Sequence, residues 1–188
     1  LAPQGSGNDP ELKALLDAQG REIVVPVPIE ARTVGAKAWQ WQAGPVRVYL
    51  LDTDIAGNSP ADREITRNLY DENRDIRLKQ EIVLGIGGLR LLARLDYHPS
   101  VYHLNEGHSA FLALDLGRQD TEHRRASFKE ACAYARDHVL FTNHTLVPEG
   151  QEQFLAEKVS GVLADYAKGM KADGEDIALL GALPDNPG

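Results

Sequence analysis

Two short segments of this chain share a chemistry. Leu104-Asn105-Glu106-Gly107-His108-Ser109 and, further on, Phe141-Thr142-Asn143-His144-Thr145 each pass from apolar residues into amides, imidazole and hydroxyl groups. Glu106 adds a carboxylate to the first. Asn105, Glu106, His108, Asn143 and His144 can donate and accept hydrogen bonds in every direction a polyhydroxylated ligand requires. In an open α/β sheet, ligands bind in the loops outside the carboxyl ends of the strands. Two such loops with matching side chains therefore predict one polar pocket assembled from both, suited to the hydroxyls of a sugar.

Other residue groupings carry less chemistry. Gly85-Ile86-Gly87-Gly88 is glycine-rich, yet a phosphate cradle follows a strand and opens a helix. This run lies inside a helical pattern, so close packing of that helix is the expectation. Asp52-Thr53-Asp54 follows an apolar strand and offers two carboxylates to a hard divalent cation. With Gly57-Asn58-Ser59-Pro60 behind it, the same stretch reads as a capped loop. His103 and His108 do not have the spacing that places two metal ligands one helical turn apart. His103 is expected to point into the sheet or its covering helix. His108 falls at a helix start, where a neutral imidazole is favoured. Glu152 is expected on the first turn of the last helix. His98, His123 and His138 read as structural or exposed. Cys132, the one cysteine, reads as an inert buried thiol and leaves no internal disulfide.

The elements that must position these residues follow from periodicity and punctuation. Residues 1–20 read as a linker, with a short amphipathic turn at Leu12-Leu15-Leu16. Strands are predicted at Glu22 to Ile29, Ala36 to Gln42 and Val46 to Leu51, the last two joined as a hairpin by Ala43-Gly44-Pro45. Ser59 and Pro60 open a helix running to about Leu69. A longer helix spans about Asp75 to Leu95, with Ile82, Val83, Ile86, Leu89 and Ala93 at helical spacing. A strand at Val101 to Leu104, helices from about His108 to Leu116 and Glu122 to Arg136, and a buried strand at Val139 to Phe141 follow. Pro148-Glu149 starts a helix carrying Phe154, Leu155, Val159, Val162, Leu163 and Tyr166. Residues 171–188 read as a frayed or truncated end. Alternation of strands and helices implies an α/β fold: a Rossmann-like parallel sheet with flanking helices over 21–170, with the opening β-hairpin as a decoration.

Bulk composition excludes several classes. With 28 acidic against 20 basic residues the net charge is -8, opposite to what a nucleic-acid surface needs. No apolar run reaches the roughly 20 residues of a membrane helix, and no signal pattern opens the chain. A cytoplasmic location without nucleic-acid or membrane partners is the expectation. Leu1 and the ragged Gly/Asn/Pro opening suggest a piece of a longer protein.

Taken in order, Tyr49-Leu50-Leu51-Asp52-Thr53-Asp54, Arg77-Leu78-Lys79-Gln80-Glu81, Gly85-Ile86-Gly87-Gly88, Leu104-Asn105-Glu106-Gly107-His108 and Thr142-Asn143-His144-Thr145-x-x-Pro148-Glu149 resemble the α-glucan (glycogen, starch or maltodextrin) phosphorylase family. The first and third look like its shorter bacterial branch, and the resemblance runs over about residues 22–170. It implies one half of a GT-B fold, in which two Rossmann-like domains face across a cleft. It implies transfer of the terminal glucosyl unit of an α-1,4-glucan to inorganic phosphate, giving glucose 1-phosphate. It implies pyridoxal 5'-phosphate as cofactor, on a lysine of the C-terminal domain that has no counterpart here; a homo-oligomeric parent is compatible with it, though the sequence does not fix the oligomeric state.

By that resemblance His144 is the catalytic-site histidine. It contacts the 6-hydroxyl of the glucosyl unit, and its main-chain carbonyl lies near the developing positive charge. His108, Glu106, Asn105, Asn143 and Glu152 line the same pocket, and family members from animals and plants have Asp where Glu106 stands. Tyr70 to Asp75 occupies the place of a gate loop and is shorter than in the family. The chain lacks the cofactor lysine, the basic residues for substrate phosphate and the family's earlier Gly-rich loop, so on its own it is expected to be inactive. Two alternatives stand beside this reading. One is a metal-dependent nucleotide-sugar glycosyltransferase using Asp52 and Asp54; the other is a non-catalytic glucan-binding domain.

Overall fold

The computed structural model describes residues 12–145, 147 and 152–182. It contains two sheets. The larger is antiparallel: β1 (Leu12–Ala14), β2 (Val24–Ile29) and β4 (Val46–Asp52) all pair with the twelve-residue β3 (Arg32–Ala43). Strict alternation makes this sheet. Val25, Val27 and Ile29 on β2 and Val34, Ala36 and Ala38 on β3 are buried, while the residues between them face outward or lie at the rim. The expected hairpin closes β3 onto β4, Ala43 opposite Val46. Its turn uses Gly44 at a φ of +59°, where a side chain would be strained.

Two expectations change here. Residues 12–14 are a strand, Leu12 opposite Trp41, and not the end of a linker. The sheet is also no decoration, because its inner face supplies a large share of the main core. Ile65, Leu78, Ile82, Val83, Ile86 and Leu91 complete that core from one side; Leu163, Tyr166, Ala167, Met170 and Ile177 do so from the chain's later helices.

The long helix is a rod in three parts: α2 (Arg74–Ile82), a π-helical turn (Val83–Gly87) and α3 (Gly88–Arg94). Asn73 caps it, accepting from the backbone N–H of Asp75 and Ile76. The glycine run has the packing role its setting implied. A Cβ on Gly85 would lie 2.6 Å from the Leu112 nitrogen, and one on Gly87 3.0 Å from Leu51 Cδ1. Side chains at either position would drive the rod off its neighbours. Before it, α1 (Pro60–Arg63) is capped by Ser59 as expected but stops after one turn.

The second sheet has two parallel strands, β5 (Tyr102–Asn105) and β6 (Val139–Thr142), with Leu104 opposite Phe141 and Asn105 opposite Thr142. Between them run α4 (Leu112–Arg124) and α5 (Phe128–His138). The helix expected from His108 is a short 3-10 turn (Gly107–Ser109) followed by α4, and the break before α5 falls at Arg125, φ +58°. Ser127 and Glu130 form a capping box on α5. Leu89, Leu104, Leu112, Leu116 and Ala135 make a smaller core beneath these strands. The strand expected to be buried is not: Leu140 and Phe141 are 56% and 51% exposed. Among the described residues β6 pairs with β5 alone, so no third strand covers it.

The last helices differ most from expectation. Pro148-Glu149 lies outside the described residues, and residues 152–155 have no regular secondary structure. The helix α6 runs over Ala156–Lys168, and α7 (Gly174–Leu180), capped reciprocally by Asp173 and Asp176, replaces the frayed end. Asp115, fully buried, ties the two cores together. It accepts hydrogen bonds from Arg90 Nη2 (3.0 Å), Arg118 Nε (3.2 Å) and the Tyr166 hydroxyl (3.0 Å). With Gln119 Nε2 as a further donor (3.3 Å), four residues offset the cost of dehydrating one carboxylate. The whole is a mixed α/β structure in which a small parallel sheet and a larger antiparallel one share a central helix.

Candidate sugar-binding rim

Parallel pairing of β5 and β6 sends both strands to the same edge, and there the two polar loops meet. Glu106 N–H donates to the Thr142 carbonyl, 2.9 Å, extending the ladder by one bond. The chain then turns sharply: Glu106 has φ +61°, ψ −176°, a region that costs a non-glycine residue ~1–3 kcal/mol. The strain is balanced by the contacts it permits. Glu106 Oε1 accepts from the backbone N–H of His144 (2.6 Å) and from the Thr145 hydroxyl (3.3 Å). Asn105 Oδ1 lies 2.9 Å from His144 Nε2. As an acceptor, it places the ring hydrogen on Nε2 and leaves Nδ1 with a lone pair. Asn143 Oδ1 accepts from Thr145 N–H (2.8 Å), closing an Asx turn.

His108 sits two residues beyond the bend, in a different company. Its Nδ1 is 2.7 Å from Arg77 Nη2. A guanidinium can only donate, so Nδ1 accepts and the ring hydrogen resides on Nε2. Burial, then the nearby Arg77 charge, holds the His108 pKa below its ordinary value, with Glu106 and Glu152 opposing; the ring is neutral at physiological pH. Arg77 also reaches Glu152 through Nε (3.2 Å) and Glu81 through Nη2 (3.1 Å). The Tyr70 ring covers both, 5.4 Å from the His108 ring and 4.8 Å from the Arg77 guanidinium carbon.

The structure therefore joins Asn105, Glu106, Asn143 and His144 in one network and His108 and Glu152 in a second, linked through the Glu106-Gly107-His108 backbone. Glu152 reaches the site from the irregular segment before α6 and not from a helix turn. His103 is exposed and not packed inward, its Nε2 2.7 Å from Thr142 Oγ1. Tyr70 opens the gate-loop segment and Arg77 and Glu81 bound one of the motifs quoted above, yet the sequence assigns none of the three to the pocket. They fall in a helical pattern and a loop, where charge and aromatic character are ordinary, and only the fold brings them to His108.

The two carboxylates of the alternative reading are engaged separately. Asp52 is buried and receives Trp39 Nε1 (3.2 Å) and its own loop's Asp54 N–H (2.9 Å). Asp54 turns outward to Arg63, 2.6 Å. Among the described residues no group of three His, Cys, Asp or Glu side chains could hold a metal ion. Cys132 is half-buried, and burial pushes its thiol pKa up, which disfavours the reactive thiolate. Among the described residues no helix is long and apolar enough to cross a membrane.

No protein-family model matches the chain. Individual relatives do: it is 42% identical to a maltodextrin phosphorylase of Thermococcus litoralis over 171 residues, 91% of this chain and 20% of that protein. A glycogen phosphorylase of Mycobacterium tuberculosis is 35% identical over 190 residues, covering 98% of this chain and 21% of the relative. One from Aquifex aeolicus is 30% identical over 94% of this chain and 25% of its own length. The chain is a homologue of the α-glucan phosphorylases. It spans about a fifth to a quarter of the length of these relatives, so its homology extends across nearly all of this sequence but only a minor part of theirs.

Proposed function

We propose that this chain supplies the glucosyl-binding side of the cleft of an α-1,4-glucan phosphorylase of the short bacterial type. It would be part of the N-terminal Rossmann-like half of a GT-B fold, with 21–170 as the domain portion. The whole enzyme transfers a terminal glucosyl unit from a maltooligosaccharide to inorganic phosphate, giving glucose 1-phosphate. One observation supports this above the others: Asn105 and Glu106 from one strand end grip the side chain and the backbone of His144 on the next. A histidine held at both ends, with Nδ1 as acceptor, is preorganised to receive a sugar hydroxyl. Its main-chain carbonyl, oriented by the same grip, is a fixed dipole able to stabilise positive charge at the anomeric carbon. Asn143, His108, Glu106 and Glu152 would serve as further hydroxyl partners.

Pyridoxal phosphate would supply acid–base chemistry through its phosphate group in the whole enzyme. The described residues do not fit it: Lys79 pairs with Glu30, Lys158 with Asp75 and Lys168 with Asp165, and no lysine is among the rim contacts. The cofactor lysine and the phosphate-binding cations would come from the opposite domain. The present chain alone is accordingly expected to form no glucose 1-phosphate.

The test is phosphorolysis of maltoheptaose by the whole polypeptide that carries this chain. His144→Ala should lower kcat by about 10²–10³-fold, the usual cost of one preorganised polar contact. Undiminished turnover in that variant would remove His144 from the site. Glucose 1-phosphate formation dependent on added manganese and a nucleotide sugar would instead favour the Asp52/Asp54 alternative.

A further inference from the structure

One buried acid beneath the rim has a role that the sugar contacts leave unassigned. Glu81, on α2, is 5% exposed, and its Oε1 accepts no hydrogen bond from any described residue. That atom lies 3.1 Å from Arg77 Nη2 and 3.6 Å from His108 Nδ1, while Nη2 and Nδ1 are 2.7 Å apart. The three atoms form a tight triangle in which the short side, Arg77 to His108, takes the aligned hydrogen bond. A buried carboxylate without aligned donors is expensive unless its charge is balanced. Among the described residues the cation against it is the Arg77 guanidinium, itself 7% exposed, so the two hold each other in place.

We propose that Glu81 is a positioning residue for His108: it holds Arg77 Nη2 against His108 Nδ1 and so keeps the ring in its Nε2–H tautomer. The use of that Nε2–H toward a sugar oxygen rests on the function proposed above; the tautomer itself does not. Arg77 has a second attachment through Glu152, which approaches from the segment before α6. Without Glu81 the guanidinium would swing toward Glu152, and Nδ1 would lose its donor. The charged and titratable groups around Glu81 are Arg77 on its own helix, His108 with Glu106 from the β5 loop, and Glu152 from the α6 side, with the Tyr70 ring above. Burial raises the Glu81 pKa to about 7, with Arg77 opposing and Glu152 adding to the rise. The carboxyl therefore changes charge while His108, whose pKa is lowered, is still neutral.

Imidazole nitrogen NMR of the 15N-histidine-labelled chain tests this without substrate. At pH 8 the His108 nitrogens should read as unprotonated Nδ1 and protonated Nε2. On acidification, both should shift together near pH 7, as Glu81 takes up its proton, ahead of ring protonation. Glu81→Gln should keep the tautomer, since its amide can replace the protonated acid, but abolish the step. Glu81→Leu should release the ring into a mixture of tautomers, with His98 unchanged as an internal control. A wild-type ring that is Nδ1–H or mixed at pH 8, or a Glu81→Leu ring still wholly Nε2–H, overturns the proposal. Should Glu81→Leu fail to fold, the wild-type titration decides: His108 nitrogen shifts that stay flat until the ring itself protonates sink it. Correct tautomer behaviour supports the positioning role whether or not the chain alone binds maltooligosaccharide, because it carries one side of the cleft; the sugar site is tested separately by His144→Ala in the whole polypeptide.

Discussion

The two sheets divide the molecule's work. The antiparallel sheet has its inner face covered by α2, the π turn and α6, with Val27, Ile29, Val34, Ala36 and Ala38 fully buried. The parallel pair is short, its outer strand exposes Leu140 and Phe141, and its carboxyl end spends its residues on a strained bend and polar contacts. Burial of apolar area stabilises; a strained glutamate and a buried, poorly solvated acid do not. The difference places the larger share of buried apolar area in the first region and the polar network of the candidate rim in the second, with the central rod as the shared wall.

The largest effect that could break this contrast lies in the first core. Ile82→Ala, at a fully buried position, should cost about 2–5 kcal/mol in urea unfolding. A cost under about 1 kcal/mol would mean the antiparallel sheet is not the stability reservoir.

Next in size is the pH dependence set by Glu81 in the wall. Its folded pKa, about 7, lies above the ordinary glutamate value of about 4.3. Between those values the native state holds the extra proton, so stability should fall as pH rises from about 4.5 to about 7. It should then level off as both states ionise. The slope is at most about 1.4 kcal/mol per pH unit. Glu81→Gln should flatten that segment of an unfolding-versus-pH profile; an unchanged slope would assign it elsewhere.

The rod itself offers a paired test at smaller magnitude. Alanine is the better helix former by about 1 kcal/mol, yet Gly85→Ala meets the Leu112 backbone and should destabilise by about 1–3 kcal/mol. Gly88 has nothing within 4 Å of a built Cβ, so Gly88→Ala should raise the melting temperature. If both substitutions had the same sign, close approach of the rod to α4 would not be what demands glycine. Smallest of all, Phe141→Ser on the exposed strand should change the unfolding free energy of this chain by less than about 0.5 kcal/mol. A large loss would mean that strand is covered in solution.

How much was legible beforehand varies by element. Local signals sufficed where one residue and its immediate neighbours decide the outcome. Ser59-Pro60 opens a helix, Gly44 turns a hairpin, and interrupted glycines in an apolar helical pattern imply contact. The rim loops were equally readable, because Asn105-Glu106 and Asn143-His144 break abruptly from apolar strands. Element lengths were harder. Leu12 to Ala14 is strand only because Trp39 to Trp41 lies beside it, and α7 forms over a stretch whose apolar residue Ile177 needs the main core to bury it.

Residue types and their order thus determined the class of fold, the two polar loops and the kinship with α-glucan phosphorylases, since these depend on short-range pattern. The tertiary structure decided which sheet holds the main core, that His144 is gripped by Asn105 and Glu106, and that Arg77, Glu81 and Glu152 stand behind His108. The sequence separations involved explain the difference. Arg77 is 31 positions from His108 and 75 from Glu152, and no local propensity carries information across such distances. Only burial of apolar faces, by bringing helix and strands into contact, brings those charges together.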